Sequence, residues 1–167
     1  MSLDIGNISL RKLEPQDLPL LYVWENDSYT WQDGAVHNPL SQKDLRDYIN
    51  GSTGDIYKDG QLRLIIAANR QSVGCIDLYD FDPFNRKAGI GIYIDEAYRK
   101  SGYGQKAIEL IVDYAFNLIN LDMLYSVVAD SNIASVKLFN KCGFKQTATL
   151  SRWTKRGDAL VFQLINE

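Results

Sequence analysis

The sequence predicts a mixed α/β (α+β) fold: a mostly antiparallel central sheet of about seven strands with helices on both faces. Three adjoining stretches carry this expectation. Ala88 to Ile94 alternates, with Ala88, Ile90, Ile92 and Ile94 on one strand face and Gly89, Gly91 and Tyr93 on the other. Gln105 to Leu118 repeats as a helix, with Ala107, Ile108, Ile111, Tyr114, Ala115 and Leu118 on a broad apolar face and Glu109, Asp113 and Asn117 on a polar stripe. Between them lies Arg99-Lys100-Ser101-Gly102-Tyr103-Gly104, a glycine-rich turn through which a strand opens into a helix. The first amides of a helix lack internal partners and sit at the positive end of its dipole, so such a turn suits a phosphate.

The remaining elements follow in order. Ile8 to Leu13 reads as a first strand, and Pro15 suits the first turn of a helix running to about Glu25. Asn26 to Asn38 is polar, with Tyr29 and Trp31 inside it. Ser41 and Asp44 form a short capping box for a second helix, which Gly51 to Gly54 ends. Leu62–Ala68, Val73–Tyr79 and the strand carrying Gly89 and Gly91 are near neighbours in sequence, which favours an antiparallel meander. Met123–Ala129 is a buried strand, and Asn132 caps a helix over Ile133–Cys142 that Gly143 stops. Lys145–Trp153 and Ala159–Ile165 flank Lys155-Arg156-Gly157-Asp158 as a final hairpin.

At 167 residues the chain is expected to form one domain, residues 1–167, with a sizeable core. A formal net charge of -3 argues against nucleic acid as a partner. No apolar run has membrane-spanning length, and Met1-Ser2-Leu3-Asp4 does not open a signal peptide. Cys75 and Cys142 are far apart and lack metal-ligand spacing, so no metal site is expected, and reduced thiols in a cytoplasmic protein are.

Two nucleotide motifs can be set aside at the glycine turn. Ala107 stands where a dinucleotide fingerprint needs its third glycine, and Gly104-Gln105-Lys106-Ala107 lacks the Gly-Lys-Ser/Thr of a P-loop. The turn instead fits Gln/Arg-x-x-Gly-x-Gly/Ala. With Asn132-Ile133-Ala134-Ser135 and Leu138-Phe139-Asn140-Lys141-Cys142-Gly143-Phe144 downstream, it resembles the GCN5-related N-acetyltransferases (GNAT family). The start, Ser9 to Leu18, is similar to the branch holding ribosomal-protein and spermidine acetyltransferases.

The resemblance implies acetyl-CoA as co-substrate, its pyrophosphate on Arg99, Lys100, Ser101, Gly102, Tyr103 and Gly104. It implies a pantetheine arm in a gap between Ile92–Ile94 and Met123–Ala129, paired with edge groups of Gly91, Ile92, Tyr93 and Ile94. Asn132, Ser135 and Phe139 complete the implied cofactor contacts. Strand glycines at Gly89 and Gly91 fit a ligand's close approach independently.

Acyl transfer to an amine needs a base for the nitrogen, donors for the carbonyl oxygen and a proton for the sulfur. Phe139 stands where the family usually has its proton-donating tyrosine, and Gly89 where an acid is common in the related branch. Asp77 matches another acidic position of that branch and is the candidate base; its plain alternative is a solvent-facing strand residue. Tyr93 is the candidate donor and Tyr125 an alternative, each otherwise a packed aromatic. The acceptor pocket is expected from Trp24 to Asp59 and Asp80 to Asn85, the first segment rich in acids (Glu25, Asp27, Asp33, Asp44, Asp47, Asp55, Asp59) that suit a cationic amine. His37 reads as a loop residue. The expected activity is N-acetylation of a primary amine on a polyamine, another small molecule or a protein N-terminus, and a homo-oligomer is compatible with the resemblance. The other reading is a CoA-binding sensor with weak or lost catalysis, motivated by Phe139 and Gly89.

Overall fold

A computed structural model describes residues 3–28, 30 and 38–167. Tyr29, Trp31, Asp33 and His37 therefore lie outside the described residues. Among the described residues eight strands form one sheet in the order β1-β2-β3-β4-β5-β6-β8-β7. They are β1 (Asp4–Ile5), β2 (Ile8–Lys12), β3 (Leu62–Ala68), β4 (Gln71–Asp82), β5 (Lys87–Ile94), β6 (Met123–Ala129), β7 (Lys145–Leu150) and β8 (Ala159–Ile165). The strand beyond the expected seven is the two-residue β1, too short to show a period. All neighbours pair antiparallel except β5 with β6.

Helices cover both faces. On one side α1 (Leu18–Glu25) and α2 (Gln42–Gly51) bury Leu21, Trp24, Leu45 and Ile49 against Ile65 and Cys75 of the sheet. A short 3-10 turn, Pro15–Asp17, leads into α1, and the Ser41–Asp44 capping box opens α2. A one-turn α3 (Ile56–Asp59), closed by Gly60 at φ 69°, was not legible because a single turn has no periodicity. On the other side α4 (Tyr103–Asp113) and α5 (Ile133–Lys141) pack Ala107, Ile108, Ile111 and Phe139 onto Ile76, Leu78, Ala88, Ile90, Leu124 and Phe162. The expected helix to Leu118 continues past Asp113 as a π-turn over Tyr114–Leu118, where the Ile119 N–H reaches the Tyr114 carbonyl.

Two hairpins differ from expectation. Between β3 and β4 the turn is only Asn69-Arg70, both left-handed at φ 50° and 67°, so β4 starts at Gln71. This is the geometry that matches the twist of paired strands. The final hairpin has a longer loop: β7 ends at Leu150, which pairs with Ala159. Asp158 turns into that loop to accept the Arg152 N–H at 2.7 Å.

The entry to α1 is fixed by charge. Arg11 on β2 makes paired bonds of 2.8 and 2.7 Å to Asp17, donates to Ser72 Oγ on β4, and leaves Asp17 to accept the Glu14 N–H at 2.8 Å. Burial pushes the Asp17 carboxyl up, but the Arg11 guanidinium and the Glu14 amide outweigh it and hold it below its ordinary value. A carboxyl with a depressed folded pKa stabilises the fold above its unfolded pKa, and the contribution is lost as pH falls through the folded value. Asp17→Asn should therefore cost about 1–3 kcal/mol near neutrality, below the range for a fully buried pair because Arg11 is 35% exposed. In urea melts at several pH values, the difference from wild type should shrink below pH ~4. A difference that does not depend on pH would reject the ionic account.

Candidate active site

The parallel pairing of β5 with β6 lasts for three registered pairs, Lys87↔Met123, Ala88↔Leu124 and Gly89↔Tyr125, and then stops. Beyond Gly89 and Tyr125 the strands part while each keeps its outer neighbour, β4 and β8. The gap expected between Ile92–Ile94 and the end of β6 is thus present.

Alternation of the backbone decides which groups face it. The Asp95 N–H turns to the Val73 carbonyl on β4, and the Ile94 carbonyl turns the other way to accept from Arg99 Nε at 2.9 Å. The N–H and C=O of Ile90, Ile92 and Ile94 therefore face the gap, and those of Gly91 and Tyr93 face β4. This corrects the expectation that Gly91 and Tyr93 offer backbone groups to a ligand. The Tyr93 carbonyl lies so close to β4 that a Cβ on Gly74 would meet it at 2.1 Å. On β6 the Asp130 N–H goes to Asp158 beside β8, so Tyr125 and Val127 face the gap.

The glycine turn lies at the head of α4. Lys100 and Gly102 are both left-handed, at φ 61° and 79°, with Ser101 between them. Gly102 is the N-cap residue, and its carbonyl accepts the Lys106 N–H. The amides of Tyr103, Gly104 and Gln105 come before the first intrahelical bond and point out of the helix end. Gly104 has a different role. A Cβ there would sit 3.1 Å from Leu138 of α5 and 3.7 Å from Ile92, so its absence lets α4 settle against both. Arg99 turns away from the cradle: besides Ile94 it meets Asp27 at 4.0 Å and the Tyr93 ring face at 5.7 Å. Asn132 caps α5 by accepting the Ser135 N–H at 3.2 Å. Phe139 is 2% exposed, edge-on to Phe144 and stacked on Phe162; without a hydroxyl its ring is a piece of the core.

On the α1–α2 face the candidate base is held fast. Both oxygens of Asp77 accept from Arg63, at 2.7 and 2.6 Å, and Arg63 also pairs with Glu25 of α1. Burial would lower the Arg63 pKa, yet Asp77 and Glu25 raise it well above its usual value. Asp77 is thus not the solvent-facing residue of the plain alternative, and a carboxylate gripped at both oxygens is poorly placed to take a proton. Cys75, also on this face, is buried, and burial pushes its thiol up to about 12.

Tyr93 donates to Asp27 at 2.8 Å and packs beside Trp24, whose indole donates to Asp95. Burial and then the Asp27 bond raise its pKa, so its proton is committed. The other expected acids have local tasks: Asp44 accepts the Ser41 N–H in the α2 capping box, Asp55 caps α3, Asp47 pairs with Lys43, and Asp59 accepts from Thr53. Asp80 differs. It sits at a bulge at the end of β4 with φ 48°, exposed, and meets the Tyr125 hydroxyl at 3.4 Å.

Tyr79 is the residue that the sequence did not single out. It pairs in register with Gly89, and its ring lies over that glycine: a Cβ on Gly89 would sit 2.3 Å from the ring. The ring also touches the Gly91 side of β5 and meets Tyr125 edge-on at 6.0 Å. Burial, then Tyr125 and Asp80, push its pKa up to about 12, while the Val127 amide aimed at its oxygen pulls the other way. The signal was available: hairpin register sets Tyr79 opposite Gly89, and an aromatic opposite a strand glycine covers it.

The family described as an acetyltransferase (GNAT) domain matches residues 7–145. Spermidine N(1)-acetyltransferase of Escherichia coli is 25% identical over 141 residues, 83% of this chain and 73% of that protein. Among solved structures, spermidine N-acetyltransferase from Vibrio cholerae in complex with CoA and spermine aligns with a TM-score of 0.85 at 23% identity over 95% of each chain. A RimL ribosomal alpha-N-protein acetyltransferase aligns at 0.85 with 16% identity over 99% of this chain and 94% of the other.

Gly89→Ala should lower stability by about 1–3 kcal/mol, because the added methyl must displace the Tyr79 ring. Adding Tyr79→Ala should return part of that loss. Urea midpoints of both variants test this, and a neutral Gly89→Ala would mean that the ring is not seated over the glycine.

Proposed function

The chain belongs to the acetyltransferase (GNAT) family and is an N-acetyltransferase that uses acetyl-CoA; we propose that its acceptor is a primary amine on a small polyamine-like cation. The observation that carries this reading is the parted β5–β6 edge beside the cradle at the head of α4. The residues fit the co-substrate on the structure's own terms. The left-handed pair Lys100 and Gly102 leaves the Tyr103, Gly104 and Gln105 amides directed outward for phosphates. Ile92 presents a backbone N–H and C=O to the gap for an amide-bearing arm.

Bound acetyl-CoA supplies an acetyl group activated as a thioester. The chain's part is to hold it and to meet charge as it develops. The Ile92 N–H serves as a fixed donor for the gap, and fixed donors need no reorganisation during reaction. Arg99 ties the segment before the cradle to the end of β5. Asn132 and Ser135 order the N-terminus of α5 near the same opening.

The acceptor enters from the α1–α2 face. Relatives named spermidine acetyltransferases support a polyamine. Within this chain the Arg63–Glu25–Asp77 cluster makes a rigid wall, and Asp80 is the exposed carboxylate at its mouth. Asp77 acts through Arg63 as a positioning residue, and the amine loses its proton to water. A cytoplasmic homo-oligomer completes the proposal, supported by the 65% exposed Trp153 and the outward face of β7. Among the described residues no helix is long and apolar enough to cross a membrane.

Thiol release from acetyl-CoA, measured over spermidine, spermine, uncharged-tail monoamines and peptide N-termini, tests the acceptor. Polyamines should be preferred, and Asp80→Asn should raise KM for spermidine about two- to fivefold, the value of an exposed ion pair, with kcat little changed. Preference for an uncharged monoamine or a peptide N-terminus would overturn the polyamine reading. Acetyl-CoA should also raise the Tm, and Gly102→Asp should remove most of that rise by setting a carboxylate against the phosphates. An equal rise in the variant would mean that the turn holds no phosphate.

A further inference from the structure

Three tyrosines on the α1–α2 face stand near the opening between β5 and β6. Two donate hydrogen bonds to carboxylates: Tyr93 to Asp27 at 2.8 Å, and Tyr125 to Asp80 at 3.4 Å. Tyr79 differs from both. Among the described residues no acceptor takes its O–H, and its ring packs edge-on to Tyr125. Its position is set by the sheet. Had the parallel ladder gone one step past Gly89↔Tyr125, the Val127 N–H would have bonded the Ile90 carbonyl. The Tyr79 side chain instead lies across Gly89, at the point where the two strands part.

Resting on the acetyl-transfer reading above, we infer that the Tyr79 hydroxyl donates a hydrogen bond to the sulfur that departs in the reaction, supplying from β4 the donor that Phe139 lacks on α5. The amine nitrogen forms a bond to the acetyl carbon as the carbon–sulfur bond breaks, and the electron pair of that bond goes to sulfur. Tyr79 holds that charge until the proton lost by nitrogen reaches it through solvent. The phenol is suited to this, since it stays protonated where a thiol, with a pKa of ~8.5, ionises. Tyr125, Asp80 and Asp77 are the titratable groups around it, and all three work against phenolate formation. Gly89 is then the condition for this donor, because any side chain there would occupy the ring's place.

Tyr79→Phe keeps the ring over Gly89 and removes only the hydroxyl. It should lower kcat for acetyl transfer at least tenfold, with KM for both substrates within about twofold, as for a donor used mainly in the transition state. A binding measurement separates this role from a structural one. At pH ~9, where the thiol ionises, wild type should favour CoA over desulfo-CoA, and Tyr79→Phe should reduce that preference at least threefold in calorimetry. An unchanged kcat, or a lower kcat with an unchanged CoA to desulfo-CoA preference, would overturn the assignment. If wild type turned over no amine, the acetyl-transfer reading would fail on its own, and the same preference would still decide for or against Tyr79.

Discussion

The parallel ladder between β5 and β6 ends after three pairs, and the rest of the molecule answers to that stop. Parting two strands in the middle of a sheet exposes backbone donors and acceptors, and each must find a partner or remain open to a ligand. The Ile94 carbonyl is taken by Arg99, and the Tyr79 ring covers Gly89 where the strands part. What stays open is the middle of the β5 edge, at Ile92. The helix that carries the cradle is brought over this edge by Gly104, which lets α4 approach Leu138 and Ile92 closely. Opening, cradle and wall are parts of one arrangement.

Charge on the α1–α2 face is organised differently from a simple acidic funnel. Arg63 joins β3 to α1 through Glu25 and to β4 through Asp77, while Asp27 is engaged by Tyr93 and Arg99. Carboxylates held in this way contribute shape more than net field, because each faces a cation or a phenol proton. Among the described residues Asp80, at the end of β4, is an exposed carboxylate whose partner is a neutral hydroxyl.

Much of the fold was legible because its signals are local. The alternation of Ala88–Ile94, the periodicity after Gly104, the Ser41–Asp44 box and the Asn132 cap each specify their element without reference to the rest of the chain. The glycine turn and the Asn132 segment located the cofactor side for the same reason. What escaped the sequence depends on pairs far apart. Asp77 reads as an available base until Arg63, fourteen positions earlier, is placed opposite it across the β3–β4 hairpin. Tyr93 reads as either a proton donor or a packed aromatic until Asp27, just after α1, meets it. Gly89 reads as room for a ligand, whereas its space is filled by Tyr79 of the neighbouring strand. Register could have revealed the first and the last; the Tyr93–Asp27 pair requires the tertiary packing of α1 and the residues after it.

The seating of the Tyr79 ring over Gly89 also bears on how such a site can change over generations. A Cβ at position 89 would lie 2.3 Å from the ring, so the aromatic residue excludes every side chain opposite it, acids included. Replacing the tyrosine alone would leave bare glycine in mid-strand. Each single step away from the pair is thus penalised in this chain, and an acid at position 89 would need the tyrosine replaced in the same change.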